Sequence, residues 1–375
     1  MRITGLETVV VRVNHRGDWL FVRLTTDEGM VGLGEASQGG GGPDRDEIVA
    51  TILRRQCLPL LRGRDPRAVT ATIAALRPLA RGFAGRTAIS ACEQALWDLA
   101  GKAAGLPIYR LLGGPTRGRV PLYANINRAT TERSPEGFAR NAAAAVADGF
   151  TALKAAPFDG MDRHRVRDRG QQARVRRGLA CVAAMRDAIG PDVELLIDCH
   201  SNFDVPTALA VAVELRSLGV SWFEEPVPTD DREALARLRP LVADLELIGG
   251  EQLWGLEEFW PYLAGDLWDL LMPDVKHCGG IGALMAIGAA AAARGVSVAP
   301  HNPSGPVAMA ASAQAAAALP HLRALEYAWG EVPWRAALLD PPERIEAGEL
   351  IVPQGPGLGV TLSEATLAEH AGGVA

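Results

Sequence analysis

The sequence predicts an α/β protein in which a (β/α)₈ barrel follows a smaller α+β domain. Beyond about residue 118, eight short apolar runs recur at regular spacing, and Ala-rich helical stretches lie between most of them. Strands that alternate with helices form a parallel sheet. Most of the runs end in a polar residue, and barrels carry their functional side chains at the carboxyl ends of their strands. Eight repeats favour closure into a barrel over an open sheet.

The first domain is predicted over residues 1–118. Residues 1–35 contain three β-rich runs, VVVRV, WLFVRLTTDEG and VGLGEAS, with a DEG turn between the last two. From about residue 47 to residue 104 the pattern becomes helical, and the segment GLPIYRLLGG then ends this part with glycines. Strands followed by helices predict a two-layer α+β domain.

The barrel is predicted over residues 119–330. Its strand-like runs are, in chain order, VPLYANI, ALKAAP, ELLIDC, SWFEE, LIGGE, DLLMPD, VSVAP and RALEY. After residue 330 this rhythm stops, and residues 331–375 are rich in Pro and Gly. We expect this last segment to run back over the first domain.

The bulk composition limits the classes of protein that the chain can represent. The chain has 375 residues, of which 48% are hydrophobic, and a net charge of −6. This charge and the lack of a long basic run argue against nucleic acid or a membrane surface as partner. The sequence contains neither the apolar run of about 18 residues that a membrane span needs nor the apolar region of a signal peptide. The five cysteines form no CxxC pair, so a reduced cytoplasm is the predicted location.

Three acidic residues carry the strongest functional signal. Asp198 lies in LLIDCH, Glu224 in SWFEEP and Glu251 in LIGGEQ, at near-equal intervals along the chain. A lone acidic residue at a strand end is usually solvated or caps a helix, but three regular placements favour a shared site. Hard cations such as Mg²⁺ take carboxylate oxygens, so these three residues are the predicted metal ligands.

The other strand ends carry groups suited to acid–base chemistry. They are Lys154, His200, Asp274, His301 and Glu326. Residues two apart on a strand face the same way, so His200 can point at the same site as Asp198. His301 is the predicted base that removes a proton from the carbon next to a carboxylate, and Asp274 could fix its tautomer. Mg²⁺ could stabilise the resulting negative charge, and His200 could protonate a departing hydroxyl.

Taken together, these motifs resemble the enolase superfamily, in its mandelate racemase-like branch. The resemblance covers nearly the whole chain and rests on GLPIYRLLGG, LIDCH, WFEEP, GGEQ, MPDVKHCGG, PHNPSGP and GPGLGV. It implies a modified (β/α)₈ TIM-type barrel beneath a capping domain that the N-terminal part and the C-terminal tail form together. It also implies Mg²⁺ ligands Asp198, Glu224 and Glu251, a His301–Asp274 dyad and a homo-oligomer. Superfamily sites pair a His or Lys base with Mg²⁺.

Within that branch, Asp198-x-His200 and PHNPSGP look like the galactonate dehydratase pattern, in which the histidine protonates the leaving hydroxyl. Racemases of the branch carry Lys-x-Lys at the end of strand two, whereas this chain has Lys154-Ala155-Ala156. A racemase needs a base on each face of its substrate, so the missing lysine favours elimination. The predicted activity is a Mg²⁺-dependent dehydratase, a lyase that turns a small-molecule sugar acid into a 2-keto-3-deoxy acid. Epimerisation, lactone cycloisomerisation and non-catalytic binding of a sugar acid are the alternatives.

Substrate contacts are predicted from both domains. The resemblance implies that Glu326 hydrogen-bonds a substrate carboxylate oxygen, and Lys154 is expected to bind that carboxylate or stabilise the enolate. In the first domain, a mobile loop between the first two strands could close over the barrel. Arg16 and Trp19 are candidate contacts on this loop, and Phe83 is a third candidate. For these three residues a plain surface-loop role is equally open.

Overall fold

A mixed domain precedes the barrel in a computed structural model that describes residues 1–15, 17–38 and 44–374, with only the backbone of 371–374. Its elements within the described ranges are β1 (Ile3–Asn14), β2 (Gly17–Thr26), β3 (Val31–Glu35), α1 (Arg45–Ile52), α2 (Leu58–Leu61), α3 (Val69–Leu76), α4 (Gly82–Ala104) and α5 (Ile108–Leu111). Strands β1, β2 and β3 form an antiparallel sheet. The long helix α4 packs on β3 and is buried over much of its length. The predicted α+β organisation is confirmed.

Two glycines allow α4 to lie directly on β3. A Cβ at Gly34 would overlap the carbonyl oxygen of Ala91, and one at Gly32 would overlap that of Ala95. Both carbonyls belong to α4, so the absence of side chains at these two strand positions sets the distance between helix and sheet.

Replacing Gly34 with alanine should therefore destabilise the protein. Strand and helix must move apart to admit the new Cβ, and overpacking of this kind costs about 1–3 kcal/mol. Urea unfolding followed by circular dichroism measures the loss. Gly118→Ala is the control, because a Cβ at Gly118 meets nothing within 4 Å. An equal loss in both variants would contradict the packing argument.

The barrel follows with parallel strands and intervening helices. Its elements are β4 (Arg119–Asn125), α6 (Pro135–Ala147), β5 (Ala152–Ala155), α7 (Arg169–Ile189), β6 (Glu194–Asp198), α8 (Val205–Ser217), β7 (Trp222–Glu224), α9 (Arg232–Leu238), β8 (Glu246–Gly249), α10 (Gly255–Ala264), β9 (Leu270–Leu271), α11 (Ile281–Ala293), β10 (Ser297–Val298), α12 (Pro306–Ala316) and β11 (Leu325–Ala328). Each strand coincides with one of the predicted apolar runs.

Backbone hydrogen bonds close these strands into a barrel. Strands β4 to β10 pair in sequence, and β11 pairs with β4. The last gap is bridged by the Val298 N–H, which donates to His321 O at 3.0 Å, and by the Arg323 N–H, which donates to Val298 O at 2.8 Å. Side chains fill the interior: Tyr123, Leu196, Trp222, Ile248, Leu270, Met272 and Ala299. The predicted barrel is confirmed, and its centre is a packed core rather than a channel.

The C-terminal segment returns to the first domain. Its elements are β12 (Leu339–Asp340), β13 (Ile345–Glu346), β14 (Glu349–Ile351), β15 (Thr361–Leu362), α13 (Glu364–His370) and β16 (Ala371–Val374). Strand β14 pairs with β4 of the barrel, and β16 pairs with β1, so the tail completes the sheet of the capping domain. The domain boundaries at residues 118 and 330 stay a prediction. Among the described residues, no helix has both the length and the apolarity needed to cross a membrane.

Two buried carboxylates of the capping domain hold the N-termini of barrel helices. Glu93 of α4 accepts hydrogen bonds from the first two backbone N–H groups of α11, at 2.7 and 2.8 Å. Glu35 of β3 accepts from the N–H groups of Gly305 and Ala308 at the start of α12, both at 2.7 Å. A helix N-terminus offers free N–H groups and favours negative charge. These bonds fix the cap against the end of the barrel at which the strands terminate.

Candidate active site

Three carboxylates meet at the mouth of the barrel. Asp198 ends β6, Glu224 ends β7 and Glu251 follows β8, and the parallel register sets the first two side by side. One carboxylate oxygen of each residue lies within 4.8 Å of the other two. The structure thus brings together all three residues that the sequence predicts as metal ligands. We call this group the carboxylate cluster.

Lys154 of β5 is buried against the carboxylate cluster. Its Nζ lies 3.1 Å from Asp198 Oδ2, 2.5 Å from Glu224 Oε1 and 3.3 Å from Glu326 Oε1. Burial disfavours the charged amine, but the surrounding carboxylates outweigh it and hold the pKa of Lys154 well above its usual value. Lys154 is therefore a fixed positive charge in direct contact with two predicted metal ligands.

The carboxylate cluster also has the free oxygen and the charge that a divalent cation needs. Glu224 Oε2 is buried and has no hydrogen-bond partner among the described residues. Burial and the neighbouring Asp198 raise the pKa of Glu224 well above its usual value. A buried oxygen without a partner is costly, and a bound cation would both satisfy it and relieve the repulsion between carboxylates. The residues present therefore fit a divalent metal ion.

His301 contacts one edge of the carboxylate cluster. Its Nδ1 lies 2.8 Å from Asp274 Oδ2, and its Nε2 lies 2.9 Å from Glu251 Oε2. Burial disfavours the charged imidazole, but Glu251, with the other nearby carboxylates, raises the pKa of His301 to about 10. A cation that neutralised Glu251 would lower this pKa again, towards the range in which His301 can accept a proton.

His200 contacts another edge of the carboxylate cluster. Its Nε2 lies 3.1 Å from Asp198 Oδ2, and its Nδ1 lies 2.5 Å from Asp159 Oδ1. The ring is partly exposed, and its partial loss of hydration disfavours the charged form, but the carboxylates of Asp198 and Asp159 outweigh this and raise the pKa of His200 well above its usual value. The predicted reason for its orientation is wrong, because β6 ends at Asp198 and His200 has a left-handed φ of 44°. Hydrogen bonds, not strand alternation, turn this side chain towards the site.

Glu326 of β11 links the lysine to the histidine of the dyad. Its Oε1 accepts from Asn125 Nδ2 at 2.6 Å, and its Oε2 accepts from the Asn302 N–H at 2.9 Å. The same side chain lies 3.3 Å from Lys154 Nζ and 3.8 Å from His301 Nε2. Glu326 thus lies beside the carboxylate cluster, and its contact with a substrate stays a prediction.

Two of the three cap residues named as candidate substrate contacts, Trp19 and Phe83, lie in a strand and a helix of the capping domain. Arg16 lies outside the described residues. Trp19 lies in β2 and is buried, with its ring centroid 6.3 Å from that of Phe21 and 5.4 Å from that of Trp334. The expectation that Trp19 belongs to a mobile loop is wrong, because Trp19 lies inside β2 and packs in the core. Phe83 belongs to α4 and is half-buried.

Two residues near the histidines carry no role in the sequence prediction. Asp159 holds His200, and Lys276 Nζ lies 2.6 Å from Asp274 Oδ2, the oxygen that also contacts His301. Both follow the carboxyl end of a barrel strand at a short distance, which is the signal that could have identified them. Their partners depend on loop geometry that no sequence pattern specifies.

A cavity of about 410 Å³ opens beside the carboxylate cluster. His200, Ser201, Glu225, Glu251, Tyr262 and Arg163 are among the residues that line it. The volume lies within the range of small-molecule sites, and most of the lining groups are polar. The arrangement can accommodate a small hydrophilic molecule next to both a histidine and a predicted metal ligand.

Barrels that gather carboxylates at their strand ends beneath a separate cap form a class of metal-assisted enzymes. Comparison with known families shows which family of that class the chain belongs to. Residues 7–113 match the mandelate racemase / muconate lactonizing enzyme N-terminal domain, and residues 137–366 match the enolase C-terminal domain-like family. The protein therefore belongs to the mandelate racemase/muconate lactonizing enzyme family of the enolase superfamily, whose members bind a divalent metal. The predicted resemblance is confirmed.

Individual relatives extend this likeness over nearly the whole chain. A D-gluconate dehydratase from Thermoproteus tenax is 35% identical over 94% of this chain and 69% of its own length. A D-galactarolactone cycloisomerase from Agrobacterium fabrum is 32% identical over 98% of this chain and 94% of its own. The crystal structure of a mandelate racemase/muconate lactonizing enzyme from a Jannaschia species superposes with a TM-score of 0.86 at 30% identity, covering 100% and 99% of the two chains.

Proposed function

We propose that the protein is a Mg²⁺-dependent sugar acid dehydratase that converts a polyhydroxy carboxylate into a 2-keto-3-deoxy acid. The observation that carries this proposal is the placement of two histidines on different members of one carboxylate cluster. His200 contacts Asp198 at 3.1 Å, and His301 contacts Glu251 at 2.9 Å. Elimination of water needs one group to accept a proton and another to donate one. The likeness to a D-gluconate dehydratase supports the same chemistry.

His301 removes the proton from the carbon next to the substrate carboxylate. In its neutral form it donates Nδ1–H to Asp274, so its Nε2 presents a lone pair towards the carboxylate cluster. Asp198, Glu224 and Glu251 would hold Mg²⁺, whose positive charge would stabilise the negative charge that develops on the substrate. Lys154 lies beside the same group and adds a second, fixed positive charge.

His200 donates the proton that the leaving hydroxyl needs. As the C–O bond to the β-carbon breaks, its electron pair stays with the oxygen, which takes a proton from His200 Nε2 and leaves as water. The electrons left by the α-proton form the C–C double bond, and the resulting enol tautomerises to the ketone. Each sugar acid gives one 2-keto-3-deoxy acid and one water, so no oxidant or reductant is required.

The end of β5 supports elimination over racemisation. Ala156 is buried, and its carbonyl oxygen accepts a hydrogen bond from Arg133. A methyl side chain cannot exchange protons, so the position at which a racemase carries its second base is inert here. Lactone cycloisomerisation is the second candidate, because the Agrobacterium fabrum relative has that activity.

Proton NMR in D₂O of the Mg²⁺-loaded protein separates these activities. The substrates are the stereoisomers of C4 to C6 aldonic and aldaric acids and their lactones. A dehydratase gives a 2-keto acid whose new C3 methylene carries one deuterium from the solvent. An epimerase gives deuterium at C2 with all hydroxyls retained, and a cycloisomerase rearranges a lactone without loss of water. Binding without turnover of any member would indicate a non-catalytic binder and would refute the proposal.

We also propose where the enzyme is located and how it is assembled. All five cysteines are buried as free thiols, which fits the reducing cytoplasm that the sequence predicts. The homo-oligomer implied by the family resemblance stays a prediction, and sedimentation of the purified protein tests it.

A further inference from the structure

We propose that Asp159 is a positioning residue for His200 and forms with it a second carboxylate–histidine pair, which serves the acid as the His301–Asp274 pair serves the base. This inference rests on the proposed function, since it assigns Asp159 to the proton-donating half of the elimination. Asp159 lies in the loop after β5, outside the carboxylate cluster.

The two histidines are bonded in the same pattern. His301 has Nδ1 2.8 Å from Asp274 and Nε2 2.9 Å from Glu251. His200 has Nδ1 2.5 Å from Asp159 and Nε2 3.1 Å from Asp198. In each case the carboxylate on Nδ1 lies outside the cluster and the one on Nε2 belongs to it. A carboxylate that accepts Nδ1–H fixes both the tautomer and the ring orientation, which directs Nε2 towards the substrate side.

His200 needs such a support more than His301 does. It lies beyond the end of β6, its φ is 44° and its side chain is 38% exposed, so neither the strand nor close packing holds the ring. Its contact with Asp198 uses an oxygen that also contacts Lys154 and belongs to a predicted metal ligand. The contact with Asp159 is independent of the cluster and is the shorter of the two.

Asp159 is itself held by charge and hydrogen bonds. Its Oδ2 lies 3.1 Å from the Arg133 guanidinium and accepts from Asn127 Nδ2 at 3.1 Å. Arg133 also donates to the Ala156 carbonyl oxygen at the end of β5. The loops after β4 and β5 are thereby joined, and the Asp159 carboxylate keeps Oδ1 aimed at His200 while Oδ2 is anchored.

The variant Asp159→Asn tests this assignment because the reaction has two separable halves. Exchange of the α-proton with D₂O reports His301, whereas release of water reports His200. We expect dehydration to fall by about 10–100-fold, as when the hydrogen-bond partner of a metal-bound histidine is removed. Exchange into recovered substrate should stay within about threefold of the wild-type rate or become more visible, so the ratio of exchange to dehydration should rise.

Controls separate positioning from folding. Asp162→Asn alters an exposed carboxylate of the same loop, which accepts from the His164 N–H, and should leave the ratio unchanged. Mg²⁺ affinity measured by titration calorimetry should be equal in wild type and Asp159→Asn, because Asp159 lies outside the cluster. Asp159→Glu keeps the charge and should retain more dehydration than Asp159→Asn.

The outcomes are distinct. If Asp159→Asn lowers exchange and dehydration equally, or changes neither rate, then Asp159 only connects two loops. The inference is then overturned, but the proposed dehydratase activity is not. If the wild-type protein dehydrates no sugar acid at all, the proposed function fails and the inference fails with it.

Discussion

His301→Asn should abolish α-proton exchange and dehydration together, with kcat reduced by about 10²–10⁴-fold or more. Asparagine can still donate a hydrogen bond from its amide towards Asp274, so the local structure should persist. It offers no basic nitrogen where Nε2 now lies 2.9 Å from Glu251. Deuterium incorporation at C2 and formation of the 2-keto product, both read by NMR, measure the two losses on one sample.

His321→Asn is the matched control for this experiment. The His321 side chain is exposed, and only its backbone carbonyl contributes to barrel closure. The His321→Asn variant should exchange the α-proton and dehydrate the substrate at the wild-type rate. If His301→Asn still exchanges the α-proton, the base lies elsewhere and the assignment of His301 is wrong.

The barrel could be predicted from sequence because its signal is repeated. Each strand is a short apolar run, and helices of suitable length separate the runs, so that one misjudged boundary leaves the count intact. Closure of the barrel was harder to predict, since it depends on a few hydrogen bonds between β10 and the segment that leads into β11, such as the one from the Val298 N–H to His321 O. Strands β9 and β10 have only two residues each, and pattern alone does not show how such short strands pair.

The carboxylate cluster could be predicted for a geometric reason. Adjacent parallel strands end at the same edge of the sheet, so Asp198 and Glu224 must lie side by side once β6 and β7 pair. The contacts of Lys154 could not be predicted from strand pairing, because its long side chain can reach several partners. Asp159 was missed because the shape of its loop is set by Arg133, which is distant in sequence. Trp19 was wrongly assigned to a loop because the composition of a hairpin does not determine where its strands end and its connection begins.

The capping domain contributes to the site through its buried carboxylates. Glu35 binds the start of α12, four residues after His301, and Glu93 binds the start of α11, seven residues after Asp274. The two segments that carry the dyad are therefore fixed by hydrogen bonds from the cap. Rigid support of this kind keeps reacting groups in place without an energetic cost during the reaction.

Lys154→Met should cause a large loss of stability that Mg²⁺ reverses in part. Methionine has a similar length but no charge, so Asp198 and Glu224 would lose their nearest positive partner, and breaking a buried ion pair in this way costs about 3–5 kcal/mol. A cation bound to the same carboxylates replaces the missing charge. Ligand binding at 100 times its Kd stabilises a folded protein by about 2.7 kcal/mol, and the tighter binding expected in the variant should increase that gain.

Urea unfolding in EDTA and in saturating Mg²⁺ measures this difference, with Lys102→Met as the control. Lys102 also pairs with a buried carboxylate, Asp98, at 2.7 Å, but it lies in the capping domain. The Lys102→Met variant should lose stability, but Mg²⁺ should increase its stability by the same amount as in the wild type. The gain should be larger for Lys154→Met than for wild type, because lysine and cation compete for the same oxygens. An equal gain in all three proteins would mean that the cation binds elsewhere, and the assignment of Asp198 and Glu224 as metal ligands would then have to be abandoned.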